Sequence, residues 1–151
     1  MNSFSHLDKD SNARMVDITG KAFSKRTAKA QGMIYLQPET LALIEKDQIG
    51  KGNVLQVAKL GGIQAAKKTA DLILLAHPIN LSHIDVKAFI EKQGIRIEAT
   101  ARITERTGVE MEALTAVSAA LLNIYDMCKA VDDKMMISEI KLIQKTKNET
   151  L

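Results

Sequence analysis

The sequence predicts an α+β fold in which helices pack on one face of a four-stranded antiparallel sheet. Segments 84–92 and 95–104 alternate apolar and polar residues around a Gln-Gly turn at 93–94, which is typical of a β-hairpin. Residues 110–134 are rich in Ala, Leu and Met and indicate a long helix. Segment 137–144 alternates again and indicates a closing strand.

The first half of the chain supplies one more predicted strand and a short helix. Segment 32–37 is an apolar run rich in strand formers, and Pro38 ends it. Because proline is favoured in the first turn of a helix, a short helix is predicted at 39–46.

A second helix is predicted to begin after an N-cap at Asn53 and to reach about Ala70. The pair Gly61-Gly62 interrupts it, and such a pair serves close packing or a bend. The complete order is strand, helix, helix, strand, strand, helix, strand. That order predicts a ferredoxin-like sandwich.

The N-terminal residues differ from the rest of the chain. Residues 1–14 are polar and without periodicity, so we expect a flexible arm ahead of a single domain at 15–151. Residues 15–29 mix charged and small side chains and give no clear secondary structure. The start carries charges throughout, unlike a secretory signal, and no apolar run approaches the roughly 20 residues of a membrane span. We therefore expect a cytoplasmic protein.

Composition narrows the classes of ligand. A net charge of +3 and a pI of about 9.0 favour an anionic ligand without naming one. The single cysteine, Cys128, excludes a disulfide framework, and no histidines stand at ligand spacing, so no metal site is predicted. Cys128 is expected to be buried and inert. Aromatic residues make up only 3% of the chain, which argues against a surface that stacks nucleic-acid bases.

The long helix carries charged residues in an apolar setting. Since it is apolar nearly all round, it is expected to be buried, and buried charges need partners or a ligand. Glu112 and Asp126 are fourteen residues apart and share a face, but lie about 21 Å apart along the axis. A ligand the size of one nucleotide does not bridge that distance. One site containing both would need two subunits.

Structural explanations compete with functional ones for these charges. Asp126 and Lys129, three residues apart, are explained by an intrahelical ion pair, which the residues alone slightly favour. Glu110 suits the positive end of the helix dipole. A lone histidine in an apolar setting, such as His77, is more often a core residue than a catalyst.

The basic residues give weaker signals. Lys51 precedes a glycine at a helix entrance, where free backbone N–H groups suit a phosphate, although the rest of a P-loop is missing. By default Lys67 lies on a solvated helix face, and Arg26 is equally well explained as a surface charge.

Two segments of the long helix closely resemble the molybdenum cofactor biosynthesis protein C family, the cyclic pyranopterin monophosphate synthases. They are TGVEMEALTA at 107–116 and IYDMCKAV at 124–131. Further matches follow the family's order: MVD at 15–17, KGNV at 51–54, GIQAAKKT at 62–69 and LAHP at 75–78. The resemblance covers nearly the whole chain, and the ordered set is highly specific.

The resemblance implies an enzyme, a lyase acting in molybdenum cofactor biosynthesis. Family members convert the cyclised dihydro-GTP made by a radical-SAM partner to cyclic pyranopterin monophosphate and release pyrophosphate. A ferredoxin-like catalytic domain is implied, assembled as a hexamer of three dimers with the site at the dimer interface. No organic cofactor is implied; magnesium would be a natural phosphate partner, although the sequence does not demand it.

The same resemblance assigns residues. Asp126, Lys51 and Lys129 match catalytic positions. Eight residues match substrate-binding positions: Arg26, Lys67, Leu75, Ala76, His77, Glu110, Met111 and Glu112. Ala76 departs from the family, since many relatives have cysteine there, which implies that a thiol is dispensable. Many relatives also carry a Gly-, Ser- and Lys-rich tail, and Lys145 or Lys147 is expected to substitute for it here.

Two other classes of protein share such a fold. RNA-binding domains place aromatic side chains on the central strands, whereas only Phe89 and Tyr35 are available here, so no nucleic-acid partner is expected. A ligand-sensing oligomer would bind a nucleotide and leave it unchanged. The charged residues within the apolar helix argue against a sensor.

Overall fold

A computed structural model of the protein, describing residues 6–149, has the predicted ferredoxin-like architecture. The antiparallel sheet has the order β2-β3-β1-β4. Its strands are β1 (Ser24–Tyr35), β2 (His83–Glu91), β3 (Gly94–Glu105) and β4 (Met136–Glu149), and the helices are α1 (Pro38–Glu45), α2 (Val54–Ala66), α3 (Thr69–Leu72) and α4 (Glu110–Cys128).

The predicted N-terminal arm falls partly outside this range. Residues 1–5 and 150–151 lie outside the described residues. Within the arm, an isolated antiparallel bridge joins Leu7 to Ala13 and closes a small turn. The flexibility of the arm stays a prediction.

The core lies between one face of the sheet and helices α2 and α4. Strand β3 alternates as predicted: Ile95, Ile97, Ala99, Ala101 and Ile103 are all buried. Its intervening polar residues lie on the other face, so one face of the sheet is covered and the other meets water. Apolar burial on the covered face holds the helices to the sheet.

The start of α2 and its glycine pair agree with the sequence. The Asn53 side chain accepts a hydrogen bond from the Gln56 N–H at 2.8 Å and so caps the helix. A Cβ atom at Gly62 would lie 2.9 Å from the Ala116 carbonyl oxygen, and one at Gly61 would collide with the Asn123 side-chain amide. The pair therefore serves close packing of α2 on α4.

Several predicted boundaries were wrong. Strand β1 begins at Ser24 rather than Gly32, because tertiary pairing with β3 and β4 along its length overrides the weak strand preference of its charged and small residues. Helix α2 ends at Ala66 rather than Ala70, and the one-turn helix α3 follows. Helix α4 ends at Cys128 rather than near residue 134.

Strand β4 contains a bulge that sets which way its residues face. Ala30 of β1 pairs with Leu142, whereas Lys29 pairs with Gln144, which leaves Ile143 without a partner in β1. An extra residue of this kind shifts the alternation of a strand by one. Lys145 consequently lies on the helix-covered side, like Leu142.

Candidate active site

A cavity of about 380 Å³ lies beside the N-terminal end of α4; we call it the N-terminal cavity. The segment before β2, the loop after β3 and the first turn of α4 form most of its wall. Six of the eight predicted substrate-binding residues line it: Leu75, Ala76, His77, Glu110, Met111 and Glu112. The fold thus brings together two segments that are distant in the sequence.

Glu112 is the unusual residue of this cavity. Glu112 is only 3% exposed, and it forms no salt bridge within residues 6–149. Burial raises the pKa of the Glu112 carboxyl to about 7; a hydrogen bond from its own backbone N–H opposes this shift, and the nearby Glu110 adds to it. Near neutral pH this carboxyl can therefore both hold and release a proton.

Glu110 has a different electrostatic setting. Burial raises the pKa of its carboxyl, but a hydrogen bond from Lys145, the backbone N–H and the charges of Lys145 and Arg26 outweigh burial and hold the pKa below its usual value. The helix-dipole position predicted for Glu110 is present, since it stands in the first turn of α4. The cation of Lys145 comes from the edge strand β4.

Arg26 and Lys67 flank the N-terminal cavity without lining it. Arg26 lies with Glu110 and Lys145 around a small crevice, and its Nε is buried without a hydrogen-bond partner. Lys67 lies in a neighbouring cavity of about 300 Å³, of which Glu112 is also a wall. Lys67 is exposed, as the default explanation expected, yet it is also close to the site.

His77 connects the cavity to the N-terminal segment. Its Nε2–H donates to the Val16 carbonyl oxygen at 2.6 Å. The same segment contributes further lining residues, which are His6, Val16, Ile18 and Lys21. Composition and periodicity did not predict that the N-terminal segment lines the cavity. The match of residues 15–17 to the family was the only sequence signal for it.

The three predicted catalytic residues lie together at the opposite end of α4; we call them the Asp126 cluster. The Lys51 ammonium lies 3.0 Å from Asp126 Oδ2 and 2.8 Å from its backbone carbonyl oxygen. The Lys129 ammonium lies 2.6 Å from Asp126 Oδ1. The predicted intrahelical ion pair is confirmed, and Lys51 joins it from a distant part of the chain.

The predicted burial of this cluster was wrong. The side chains of Asp126 and Lys129 are each 58% exposed, and that of Lys51 is 47% exposed. At 3.6 residues per turn, Asp126 and Lys129 lie on the outer face at the end of α4 with Leu122 and Tyr125, which are exposed as well. Helix α4 buries only the face that meets the sheet and α2.

Electrostatics hold Asp126 ionised. Hydrogen bonds from Lys129 and then from Lys51 lower the pKa of the Asp126 carboxyl, and their charges reinforce the effect. In turn, Asp126 raises the pKa of the Lys129 ammonium. The cluster therefore presents fixed charges, whereas Glu112 presents a titratable one.

The two ends of α4 do not meet within one chain. Glu112 and Asp126 are separated by fourteen residues of continuous helix, about 21 Å along its axis. The chain thus holds two candidate half-sites, one at each end of α4, with different electrostatics.

Other features of the described region bear on cofactors and surroundings. No group of three or more His, Cys, Asp and Glu residues in this region could hold a metal ion. Cys128 is buried as predicted, and burial raises the pKa of its thiol to about 11. Within residues 6–149, no helix is long and apolar enough to cross a membrane.

Comparison with known proteins agrees with the sequence resemblance. The MoaC family profile matches residues 15–148. A cyclic pyranopterin monophosphate synthase of Chloroflexus aurantiacus is 54% identical over 146 residues, which is 95% of this chain and 90% of the relative. A protein of the same name from Parvibaculum lavamentivorans is 50% identical over 143 residues, or 93% of this chain and 89% of the relative.

A longer relative matches equally well. A molybdenum cofactor biosynthesis bifunctional protein of Chlorobaculum tepidum is 54% identical over 143 residues, which is 95% of this chain and 46% of that protein. The profile match covers the Asp126 cluster and all the residues that line the cavity except His6. This chain belongs to the MoaC family.

Proposed function

We propose that this protein is a cyclic pyranopterin monophosphate synthase. It is a lyase that converts cyclised dihydro-GTP to cyclic pyranopterin monophosphate and releases pyrophosphate, in molybdenum cofactor biosynthesis. The observation that carries the proposal is the 54% identity to a synthase of this name across 90% of that protein's length.

The electrostatics of the N-terminal cavity suit binding and proton transfer. Rearranging a purine-derived ring to a pterin needs repeated proton transfers, and a group with a pKa near the working pH is most effective in them. Glu112, with a pKa of about 7, fits that requirement. The apolar wall formed by Leu75, Ala76 and Met111 suits the ring of the substrate.

The Asp126 cluster suits the phosphate end of the reaction. Pyrophosphate leaves with growing negative charge, and preorganised cations stabilise such charge. Lys51 and Lys129 supply two ammonium groups, and Asp126 holds both in place. We assign these three residues to catalysis. No resident cofactor is proposed, although magnesium is a suitable counter-ion for the phosphates.

One active site would combine the N-terminal cavity of one subunit with the Asp126 cluster of another. The separation of about 21 Å within a chain supports this arrangement. So does the exposed apolar surface next to the cluster on α4, since Leu122 and Tyr125 are 60% and 38% exposed and suit a protein interface. We propose a hexamer assembled from three such dimers.

The proposed reaction also implies which enzyme acts before this protein. Its substrate would be supplied by a radical-SAM enzyme that cyclises GTP, and we expect both to act in the cytoplasm.

Supplying the purified protein with cyclised dihydro-GTP tests the reaction directly. Mass spectrometry should detect the pterin product and pyrophosphate in equal amounts, and protein dialysed against EDTA should retain turnover. A folded protein that binds the substrate and returns it unchanged would be a sensor, and the enzymatic proposal would be wrong.

A further inference from the structure

Asp132 is a buried carboxylate outside both half-sites. It lies in the turn between α4 and β4 and is 4% exposed. Its Oδ2 accepts from the Gln37 N–H at 2.9 Å and from the Thr40 hydroxyl at 3.0 Å, and its Oδ1 accepts from the Lys134 N–H at 3.0 Å. Burial raises the pKa of this carboxyl, but the three hydrogen bonds outweigh burial and lower it.

Two of these bonds anchor the start of helix α1. Gln37 is the N-cap residue of α1, and its own side chain makes no capping hydrogen bond. A helix start leaves N–H groups without partners, and a carboxylate there is favoured by the helix dipole. Asp132 therefore caps α1 from a segment 95 residues further along the chain.

The backbone of Asp132 is tied to the end of α4. The N–H groups of Val131 and Asp132 donate to the Cys128 carbonyl oxygen at 2.9 and 3.0 Å. This tight turn encloses Lys129, the residue that follows the last residue of α4. A displacement of Asp132 would accordingly be transmitted to Lys129.

The far end of α1 is connected in the same way to Lys51. The Gln48 N–H donates to the Leu43 carbonyl oxygen at 2.8 Å, and the Gly52 N–H donates to the Ile49 carbonyl oxygen at 3.0 Å. Ile49 is buried against the core, which holds the loop in place. Helix α1 thus carries the Lys51 loop at one end and rests on Asp132 at the other.

We propose that Asp132 is a positioning residue for the Asp126 cluster, which sets the separation of Lys51 from Asp126 by joining α1 to the turn after α4. Its effect on catalysis rests on the proposed function, whereas its effect on the geometry of the cluster does not. Asp132 itself touches none of the three cluster side chains in any described hydrogen bond or salt bridge. It acts through the backbone on both sides.

The test is Asp132→Asn, which keeps the size of the side chain but replaces one acceptor oxygen by a donor facing other donors. Two measurements are needed: the carbon-13 NMR titration of the Asp126 carboxyl, and kcat and KM with cyclised dihydro-GTP. Lys51 and Lys129 are the charged groups facing Asp126. If Lys51 moves away, the titration midpoint of Asp126 should shift upward. We expect kcat to fall about tenfold while KM changes little, since misplacement of catalytic groups costs rate.

Two further variants keep this test decisive. Thr40→Val removes one of the three hydrogen bonds and should shift the Asp126 midpoint in the same direction by less; it carries the test if Asp132→Asn does not fold. Ile97→Val shortens a fully buried side chain of β3, an element separate from α1 and the turn, and should leave the midpoint unchanged.

The outcomes separate the two proposals. If the Asp132 and Thr40 variants lower the melting temperature as Ile97→Val does, but leave the Asp126 midpoint and kcat unchanged, Asp132 is structural only and the inference is wrong. The NMR titration needs no substrate. Suppose that the wild-type protein has no turnover, but Asp132→Asn still shifts the Asp126 midpoint upward. That result would uphold the positioning role and refute the proposed function.

Discussion

Each end of helix α4 carries a carboxyl group, and the pKa of that group is shifted in opposite directions at the two ends. Glu112, at the N-terminal end, is 3% exposed, and its pKa is raised to about 7 by burial. Asp126, at the other end, is exposed between two ammonium groups, and its pKa is lowered by them. Burial without a counter-ion produces a proton carrier, whereas pairing in water produces a fixed charge.

That difference suits the two candidate half-sites to different tasks. A carboxyl that titrates near neutral pH suits proton transfer, and a rigid arrangement of charges suits the binding and release of phosphates. The following variants test whether each task belongs to its end of the helix.

The largest effect is expected at the exposed end. Asp126→Asn should lower kcat by about 1,000-fold, since the two lysines lose the carboxylate that orients them. Steady-state kinetics and size-exclusion chromatography would measure rate and assembly. The matched control is Asp85→Asn, which breaks another exposed pair, Asp85–Lys87 at 3.6 Å, and should leave kcat unchanged. Loss of assembly with normal activity per remaining oligomer would make the cluster purely structural.

At the buried end, Glu112→Gln should lower kcat about 100-fold and abolish the ionisation near pH 7 in the rate profile. A profile of kcat from pH 5 to 9 measures both. Glu110→Gln is the control. Because Lys145 holds the Glu110 carboxyl ionised, that carboxyl should not produce the limb of the rate profile near pH 7, and the variant should keep this limb. Persistence of this limb in Glu112→Gln would assign it to another group.

Mixing subunits tests whether the two ends form one site. Lys51→Ala and Glu112→Gln subunits, each with little activity alone, should together recover about a quarter of wild-type activity, since half of randomly mixed dimers are mixed and each has one intact site of two. A mixture of Lys51→Ala with Asp126→Asn should stay inactive, because both residues belong to the same half-site. No recovery in the first mixture, with mixing verified by native mass spectrometry, would mean that the ends act separately.

The smallest effect concerns stability. The pKa of Glu112 rises from an ordinary 4.5 to about 7 on folding, so the folded state binds this proton more tightly. The contribution of the Glu112 carboxyl to the free energy of unfolding is favourable below pH 4.5 and is lost as pH rises to 7. The loss amounts to up to about 3 kcal/mol. Glu112→Gln cannot ionise. Its free energy of unfolding relative to wild type should increase over that interval, as measured by urea denaturation; a constant difference would contradict the raised pKa.

The sequence predicted what depends on local periodicity. Strand β3 and its hairpin with β2 were predictable because alternating isoleucine and alanine positions match a half-buried sheet. The first half of β1 was not, since residues 24–29 are mostly charged or small and are held in the sheet by pairing with β3 and β4. Propensity alone does not report pairing of that kind.

For the candidate site, sequence reasoning named residues that the fold gathers at the two ends of α4, but it did not predict their surroundings. An apolar helix suggested that Asp126 was buried, whereas an outer face containing Leu122 and Tyr125 remains exposed in this chain. Asp132 gave no signal, because the run Asp132-Asp133-Lys134 resembles an ordinary surface turn. Its burial depends on α1 packing over it, which is a long-range event.

The bulge in β4 restricts how this strand can vary in length during evolution. Leu142 and Lys145 are three residues apart, and in a regular strand they would face opposite sides of the sheet. The unpaired Ile143 lets both face the helices. Loss of either residue between Leu142 and Lys145 would straighten the strand and keep Lys145 on the side of Glu110, whereas loss of both would turn that cation to the opposite side and remove it from Glu110.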